Sequence, residues 1–215
     1  MIEASERPGS AKDDSAKRDQ ILRGARAVFL ASGFDGASMG EIARTAGVSK
    51  GTLYVYFDSK EALFEALTAA EHGSLAEALF RLDETDPDIR RVLGDLGTSY
   101  LEAMMRGDHI SSVRMVIGAA DKFPRFSRAF YEAGPARGAR RLASYLDRQV
   151  AEGRLAIDDT ALAAEQFLNL CAAGMLKRLL FAVEDRFTAA AVRDNVEAAV
   201  RVFFAAYDRP APAGG

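Results

Sequence analysis

The sequence is poor in residues that build covalent or metal-bound frameworks. Cys171 is the only cysteine among 215 residues, so no disulfide can form within the chain. The two histidines, His72 and His109, are not at metal-ligand spacing from each other or from Cys171. We therefore expect no metal site and no bound cofactor.

Long apolar stretches free of charge are also missing. No run of about 18 such residues occurs, which argues against a membrane-spanning helix. The first residues of the chain are polar and contain no apolar core of a secretory signal. Together these absences predict a cytoplasmic protein that does not associate with a membrane.

Sequence motifs of enzyme active sites are missing too. No phosphate-binding loop of the form GxxxxGK[ST] is present. Cys171 has the apolar neighbours Leu170 and Ala172, which favour a buried small hydrophobe over a nucleophile. The paired acids Asp158 and Asp159 lie at the start of a helical pattern, where carboxylates act as caps. We therefore predict a protein that is not an enzyme.

Positive charge is not in excess. The formal net charge is -3, and neither the N-terminal third nor the remainder is basic overall. A nucleic-acid-binding protein of this composition must therefore concentrate its positive charge locally.

What the sequence does contain is helical periodicity. Ile21, Leu22, Ala25, Val28 and Phe29 recur at spacings of three and four, which is typical of one apolar face of a helix. Proline and glycine punctuate the later pattern at Phe123-Pro124, Gly134-Pro135 and Gly153, and no alternating strand pattern appears. We predict an all-α fold of about nine helices.

The most informative segment is residues 38–57. It reads as two short helices joined by a turn at residues 47–49, in which Gly47 permits the tight crossing. Ser38 has Glu41 three residues later, which is capping-box spacing, and Ser49 is placed to cap the second helix. This arrangement is typical of a helix-turn-helix, whose second helix fits the major groove of DNA.

The string IARTAGVSKGTLYVYFDSKEAL, residues 42–63, resembles the DNA-binding domain of the TetR/AcrR family of regulators. The likeness covers about residues 15–75 and implies binding to a double-stranded DNA operator. By position, Lys50, Gly51, Thr52 and Tyr54 would face base edges or groove walls. Phosphates would contact Tyr56 and Lys60, and Ser38 would lie at the DNA backbone. Arg44 adds local positive charge. Gly40 stands where the founding member has a base-reading arginine, so the operator sequence does not carry over.

Residues 113–146, VRMVIGAADKFPRFSRAFYEAGPARGARRLASYL, resemble the AefR-like C-terminal domain of the same family. The resemblance implies three parts: a disordered tail at 1–14, a three-helix DNA-binding domain at 15–75, and a helical ligand-binding and dimerisation domain at 81–208. Methionine and aromatic side chains suit an adaptable apolar pocket, although each one is also compatible with plain core packing. The pocket candidates are Met104, Met115, Phe126, Phe130, Tyr145, Phe167, Cys171 and Met175.

Dimerisation is the second implication of the resemblance. Helices at about 159–183 and 188–207 would pair with their symmetry mates as a four-helix interface, and a monomer core is the alternative. The basic stretch 122–148 is either a solvated face or a site for an anionic ligand or DNA.

We predict a homodimeric transcriptional repressor that a small apolar or aromatic inducer releases from its operator. The alternative of a different class is a helical small-molecule-binding protein or an enzyme with a vestigial helix-turn-helix.

Overall fold

The computed structural model of the protein describes residues 11–208, which form eleven α-helices. The helices are α1 (Ala11–Gly36), α2 (Met39–Ala46), α3 (Lys50–Tyr56), α4 (Lys60–Leu79), α5 (Ile89–Met104), α6 (Gly107–Ala119), α7 (Pro124–Ala133), α8 (Pro135–Ala151), α9 (Thr160–Ala172), α10 (Leu176–Leu180) and α11 (Ala189–Tyr207). Extended backbone pairs within this range only at one isolated bridge, between Leu155 and Asp208. The predicted all-α class is confirmed.

Two predicted boundaries need correction. The tail predicted at 1–14 is helical from Ala11 onward, where Asp13 and Asp14 complement the positive end of the helix; residues 1–10 lie outside the described residues. The single helix predicted at 159–183 is two, because Gly174 adopts a φ of 74° that interrupts the helical backbone between α9 and α10.

The caps that the sequence predicted are formed. Side-chain oxygens of Ser38, Ser49 and Asp159 accept backbone N–H groups at the starts of α2, α3 and α9. Thr188 caps α11 in the same way. At the start of α4, the Ser59 hydroxyl accepts the N–H of Ala62 at 3.1 Å.

The N-terminal core unites α1 to α4 with part of the following region. Ile21, Ile42, Leu53 and Leu63 are fully buried in it. Phe126 of α7 joins the same core and stacks on Phe64 of α4 with ring centroids 3.8 Å apart. Helix α4 therefore packs directly on α7, which lies in the region that the sequence placed in the second domain.

The C-terminal core lies among α5, α8, α9 and α11. Leu93, Leu142, Leu146 and Phe167 are fully buried there, and Phe203 of α11 packs edge-on against Phe167 at 5.3 Å. No helix in residues 11–208 is long and apolar enough to cross a membrane.

Candidate DNA-binding interface and ligand cavity

The helix-turn-helix is built as the sequence predicted. Gly47 ends α2 with a φ of 67°, in the left-handed region, and its N–H bonds back to the carbonyls of Ala43 and Arg44. Leu53 is the buried residue of α3 and anchors this short helix to α1 and α2. With that one residue holding the inner side, the outer side of α3 is left for a partner.

The outer side of α3 combines a cation, an aromatic ring and an aliphatic side chain. Lys50 and Gly51 are exposed, Tyr54 is 50% exposed, and Val55 is 81% exposed. Val55 was not among the predicted DNA-binding residues. Its signal in the sequence was an apolar residue on the face opposite Leu53, and such a side chain in the major groove contacts thymine methyl groups.

Lys50 lies across Gly40 of α2. A Cβ atom built on Gly40 would come within 2.8 Å of the Lys50 Cε atom, which is closer than such atoms approach in proteins. A side chain at position 40 is therefore incompatible with the present conformation of the Lys50 side chain. Because these atoms are the flexible end of the lysine, a side chain at position 40 would turn the Lys50 ammonium aside without disturbing the backbone.

Ser38, Arg44 and Thr52 border this surface. Ser38 and Arg44 are exposed, and the Ser38 hydroxyl is used as the cap of α2. Thr52 is half-buried and its hydroxyl bonds that of Ser49 at 2.8 Å. Their predicted contacts with DNA stay predictions, and for Ser38 and Thr52 an intramolecular bond already occupies the side chain.

Tyr56 is bonded to the first helix. Its hydroxyl donates to Oδ1 of Asp14 at 2.8 Å, and this bond raises the pKa of Tyr56 above its ordinary value. A phosphate that accepts from Tyr56 must therefore replace the Asp14 carboxylate as the partner of this hydroxyl.

Lys60 holds the corner between α1 and α2. Its ammonium donates to the carbonyls of Phe34 at 2.6 Å and Ala37 at 3.1 Å, and lies 4.5 Å from the centre of the Phe34 ring. The sequence predicted a phosphate contact for this residue. Lys60 also stabilises the fold, because two of its three ammonium protons are donated to backbone oxygens.

Replacing Lys60 with methionine should therefore destabilise the protein. The change keeps an unbranched side chain over Phe34 but removes two charge-assisted hydrogen bonds, so we expect the free energy of unfolding to fall by about 1.5–3 kcal/mol. Urea denaturation followed by circular dichroism measures this. Lys50→Met is the matched control, because Lys50 is exposed and should change stability by less than about 0.5 kcal/mol. Unchanged stability together with a salt slope of DNA binding lowered by about 1 would instead make Lys60 a phosphate contact alone.

A cavity of about 330 Å³ lies in the C-terminal region. Its described lining comes from the end of α4 and from α5 to α10, and is largely apolar. The lining residues are Leu79, Phe80, Tyr100, Met104, His109, Val113, Phe130, Tyr131, Gly134, Pro135, Gly138, Ala139, Glu165, Leu168, Asn169 and Leu176. The volume falls at the lower end of the range typical of small-molecule sites.

Two of the eight predicted pocket residues, Met104 and Phe130, line this cavity. The other six need correction. Tyr145, Phe167 and Cys171 are buried in the C-terminal core, and Cys171 lies against the position of Gly97 on α5, where the closely packed helices leave no free space. Burial raises the pKa of the Cys171 thiol to about 12, so it stays protonated.

The remaining three are placed by contacts that a local pattern does not show. Phe126 belongs to the N-terminal core, and Met115 packs against that same core. Met175 lies in a small cluster with Leu101 and with Val192 of α11. Helical periodicity marked all three as inward-facing, but the partner that each one meets is set by how distant helices cross.

The polar groups of the cavity carry no positive charge. Burial lowers the pKa of His109, which keeps the imidazole neutral at pH 7. Burial raises the pKa of Tyr100 to about 12, which keeps its hydroxyl protonated. Glu165 and Asn169 of α9 are both exposed, so they contribute to the solvent side of the cavity.

Comparison with known proteins identifies both regions. The sequence profile of bacterial regulatory proteins of the tetR family matches residues 21–67, and that of the C-terminal domain of AefR-like transcriptional repressors matches residues 91–209. The chain belongs to the TetR family. It is a DNA-binding transcriptional regulator of that family, and its second domain is of the AefR-like kind.

Relatives of the TetR family match over nearly the whole chain. An HTH-type transcriptional repressor from Mycobacterium tuberculosis is 30% identical over 187 residues, which make up 87% of this chain and 94% of the relative. The flavonoid-responsive regulator FrrA is 35% identical with a TM-score of 0.78, covering 92% of this chain and 100% of FrrA. A TetR-family regulator from Mesorhizobium loti has a TM-score of 0.84 at 28% identity, covering 91% and 98%.

The basic stretch of this TetR protein is mostly neutralised. Lys122 pairs with Asp35 at 2.7 Å and Arg140 with Glu132 at 3.2 Å. Ion pairs also join Arg137 and Arg141 to Glu77, and Arg148 to Glu84. Of the two interpretations of residues 122–148, the pairing favours a solvated face.

Candidate metal ligands are not gathered in the structure. Among the described residues, no three His, Cys, Asp or Glu side chains form a group that could hold a metal ion.

Proposed function

We propose that this TetR-family regulator is a homodimeric repressor. It leaves its operator when a small apolar or aromatic molecule occupies the cavity. The observation that carries the proposal is that α4 and α6, which form part of the cavity wall, also contact α1, the helix that supports the helix-turn-helix. A ligand in the cavity therefore contacts both of them.

The first of these helices is α4. It begins at Lys60, beside the α1–α2 corner, and ends at Leu79, which lines the cavity. At about 1.5 Å per residue the helix spans about 30 Å, so one continuous helix connects the two regions. A ligand that shifts the end of α4 moves the corner on which α2 and α3 rest.

The second is α6. Asp108 in its first turn pairs with Arg26 of α1 at 2.7 Å, and the next residue, His109, lines the cavity. The Asp108–Arg26 pair joins the ligand domain to the helix that supports the helix-turn-helix. A ligand that contacts His109 therefore touches the residue next to Asp108, which is paired directly with the DNA-binding domain.

The dimer is supported by apolar side chains exposed on the C-terminal helices. Leu162 of α9 is 49% exposed and Val202 of α11 is 53% exposed. Phe181 and Val183, after α10, are 80% and 65% exposed. Contiguous exposed apolar surface marks a protein interface, and α9 and α11, which carry two of these residues, pack against each other. A twofold pairing there would present two recognition helices to successive turns of DNA, about 34–36 Å apart or at a multiple of that spacing.

The ligand class is supported by the lining and by one relative. Phe80, Met104, Val113 and Phe130 give the cavity an aromatic and aliphatic wall. FrrA is a flavonoid-responsive regulator, and this chain matches it over its full length. An aromatic inducer suits both observations.

Footprinting of genomic DNA with the purified protein tests the proposal. We expect protection of a site with twofold symmetry, and weaker binding of that site when an inducer from an aromatic library is added. A ligand that binds the DNA-incompetent state more tightly shifts affinity by about 5–150-fold, which corresponds to a coupling of about 1–3 kcal/mol. A protected site without symmetry would contradict the dimer, and operator binding unaffected by any compound that occupies the cavity would contradict induction.

A further inference from the structure

The charge of the cavity restricts which aromatic molecules it can hold. The polar residues in its described lining are Tyr100, His109, Tyr131, Glu165 and Asn169, and none of the described lining residues is lysine or arginine. With His109 neutral, the only formal charge in that lining is the carboxylate of Glu165. A ligand carboxylate would have no cation to pair with and would meet a like charge.

An unpaired anion is costly in such a site. Removing a charged group from water without a partner is far more expensive than removing a neutral polar group. Proteins that bind carboxylates place arginine, lysine or a helix N-terminus against them. The described lining contains no lysine or arginine. Helix α8 begins in this wall, but its first residue, Pro135, has no N–H to donate, and Ala136 and Arg137 are not lining residues. The chemistry of the cavity therefore disfavours aromatic acids and fatty acids.

Tyr100 offers one directional hydrogen bond. Its ring lies 6.4 Å from that of Phe80, both in the cavity wall, and its hydroxyl has no hydrogen-bond partner among residues 11–208. Burial holds the pKa of Tyr100 at about 12, so the hydroxyl is a donor at every physiological pH. Because Tyr100 lines the cavity and its hydroxyl bonds no described residue, the hydroxyl can donate to an acceptor that the ligand brings.

We propose that the cavity binds an uncharged aromatic carbonyl compound, whose oxygen accepts the hydroxyl proton of Tyr100, and that it rejects the corresponding carboxylate. This inference rests on the proposed ligand-responsive function and names the chemistry of its ligand. The carbonyl satisfies the Tyr100 donor while the aromatic body contacts Phe80 and Phe130, and Glu165 stays in water.

A matched pair of probes tests the charge requirement. 2-Acetonaphthone and 2-naphthoate share one ring system and have nearly the same shape. The ketone has a methyl group where the acid has a charged oxygen. Isothermal titration of the full-length protein should give a dissociation constant for the ketone on the order of 30-fold or more below that for the acid. Equal affinity, or tighter binding of the acid, would overturn the proposal, as would a failure of the ketone to bind.

Tyr100→Phe tests the hydrogen bond. Removal of the hydroxyl should raise the dissociation constant of the ketone about 3–10-fold, the effect of one net hydrogen bond. The control is Tyr131→Phe, since Tyr131 lines the same cavity but is half-exposed, and water can solvate its hydroxyl. An unaltered ketone affinity in a folded Tyr100→Phe protein would remove Tyr100 from the site.

Operator release is measured separately on the footprinted DNA. If the acid binds better and releases the operator, the inference about charge is wrong while the ligand-responsive function stands. If the ketone binds as described but never alters operator affinity, the cavity chemistry is right and the proposed induction is wrong.

Discussion

Replacing Val202 with aspartate should convert the protein from a dimer to a monomer and lower operator affinity by about 10²–10⁴-fold. Val202 is a half-exposed apolar residue on α11, one of the two helices proposed to form the twofold interface. A carboxylate introduced there meets its own symmetry mate or an apolar surface, and in both cases it loses water without gaining a partner. Each monomer would then hold only one half-site, and the gain from simultaneous binding of two sites is lost.

Light scattering at micromolar concentration and a gel shift on the footprinted operator measure the two effects. Ile117→Asp is the matched control, because Ile117 is also an exposed aliphatic residue, at 62%, but lies on α6. The control should remain dimeric and bind normally. A Val202→Asp protein that stays dimeric would place the interface elsewhere, with Phe181 and Val183 as the next residues to change.

Local signals explain what the sequence could predict of this fold. A cap needs a side-chain oxygen two or three residues before the N–H that it accepts, so Ser38, Ser49 and the pair Asp158 and Asp159 were recognisable as caps from the sequence. The turn at Gly47 is equally local, since only the backbone conformation of one residue decides it.

Contacts between helices that are distant in the chain explain what the sequence could not predict. Periodicity shows that Cys171 and Phe126 face inward, but not that one meets α5 at Gly97 and the other meets Phe64 of α4. Residues that line an apolar cavity and residues that fill a core are both apolar. A helical pattern therefore does not distinguish a cavity-lining residue from a core residue. The two hydrogen bonds of the Lys60 ammonium could not be predicted for the same reason, because their acceptors lie more than 20 residues away in the chain.

The break after α9 has a different cause. The sequence there is apolar and contains one glycine, Gly174, which many helices tolerate at a cost of about 1 kcal/mol. In the structure Gly174 takes a positive φ, and α10 leaves the line of α9. The reorientation places Leu176 in the cavity wall and leaves Phe181 and Val183 exposed, so this turn shapes both the candidate ligand site and the candidate interface.

Tyr54 is the residue of α3 whose loss should most reduce sequence recognition. It adjoins Leu53, which is fully buried and fixes the helix, so the direction of the Tyr54 side chain is set by a rigid neighbour. The ring is half-exposed, and its hydroxyl has no hydrogen-bond partner among the described residues. Both the apolar ring and the polar tip are therefore available to the DNA groove.

Tyr54→Ala is accordingly expected to weaken binding of the footprinted operator by about 1–3 kcal/mol, or roughly 5–150-fold, the range for one good base contact. Binding to a scrambled duplex should change little, because phosphates dominate non-specific affinity. Titrations of both duplexes at one fixed salt concentration measure the ratio. Tyr54→Phe separates the ring from the hydroxyl: near-parental affinity would assign recognition to the ring, and a loss equal to that of alanine would assign it to the hydroxyl. If the folded alanine variant binds operator and scrambled duplex with the parental ratio, Tyr54 does not read the sequence, and Lys50 with Val55 must carry that role on the same face of α3.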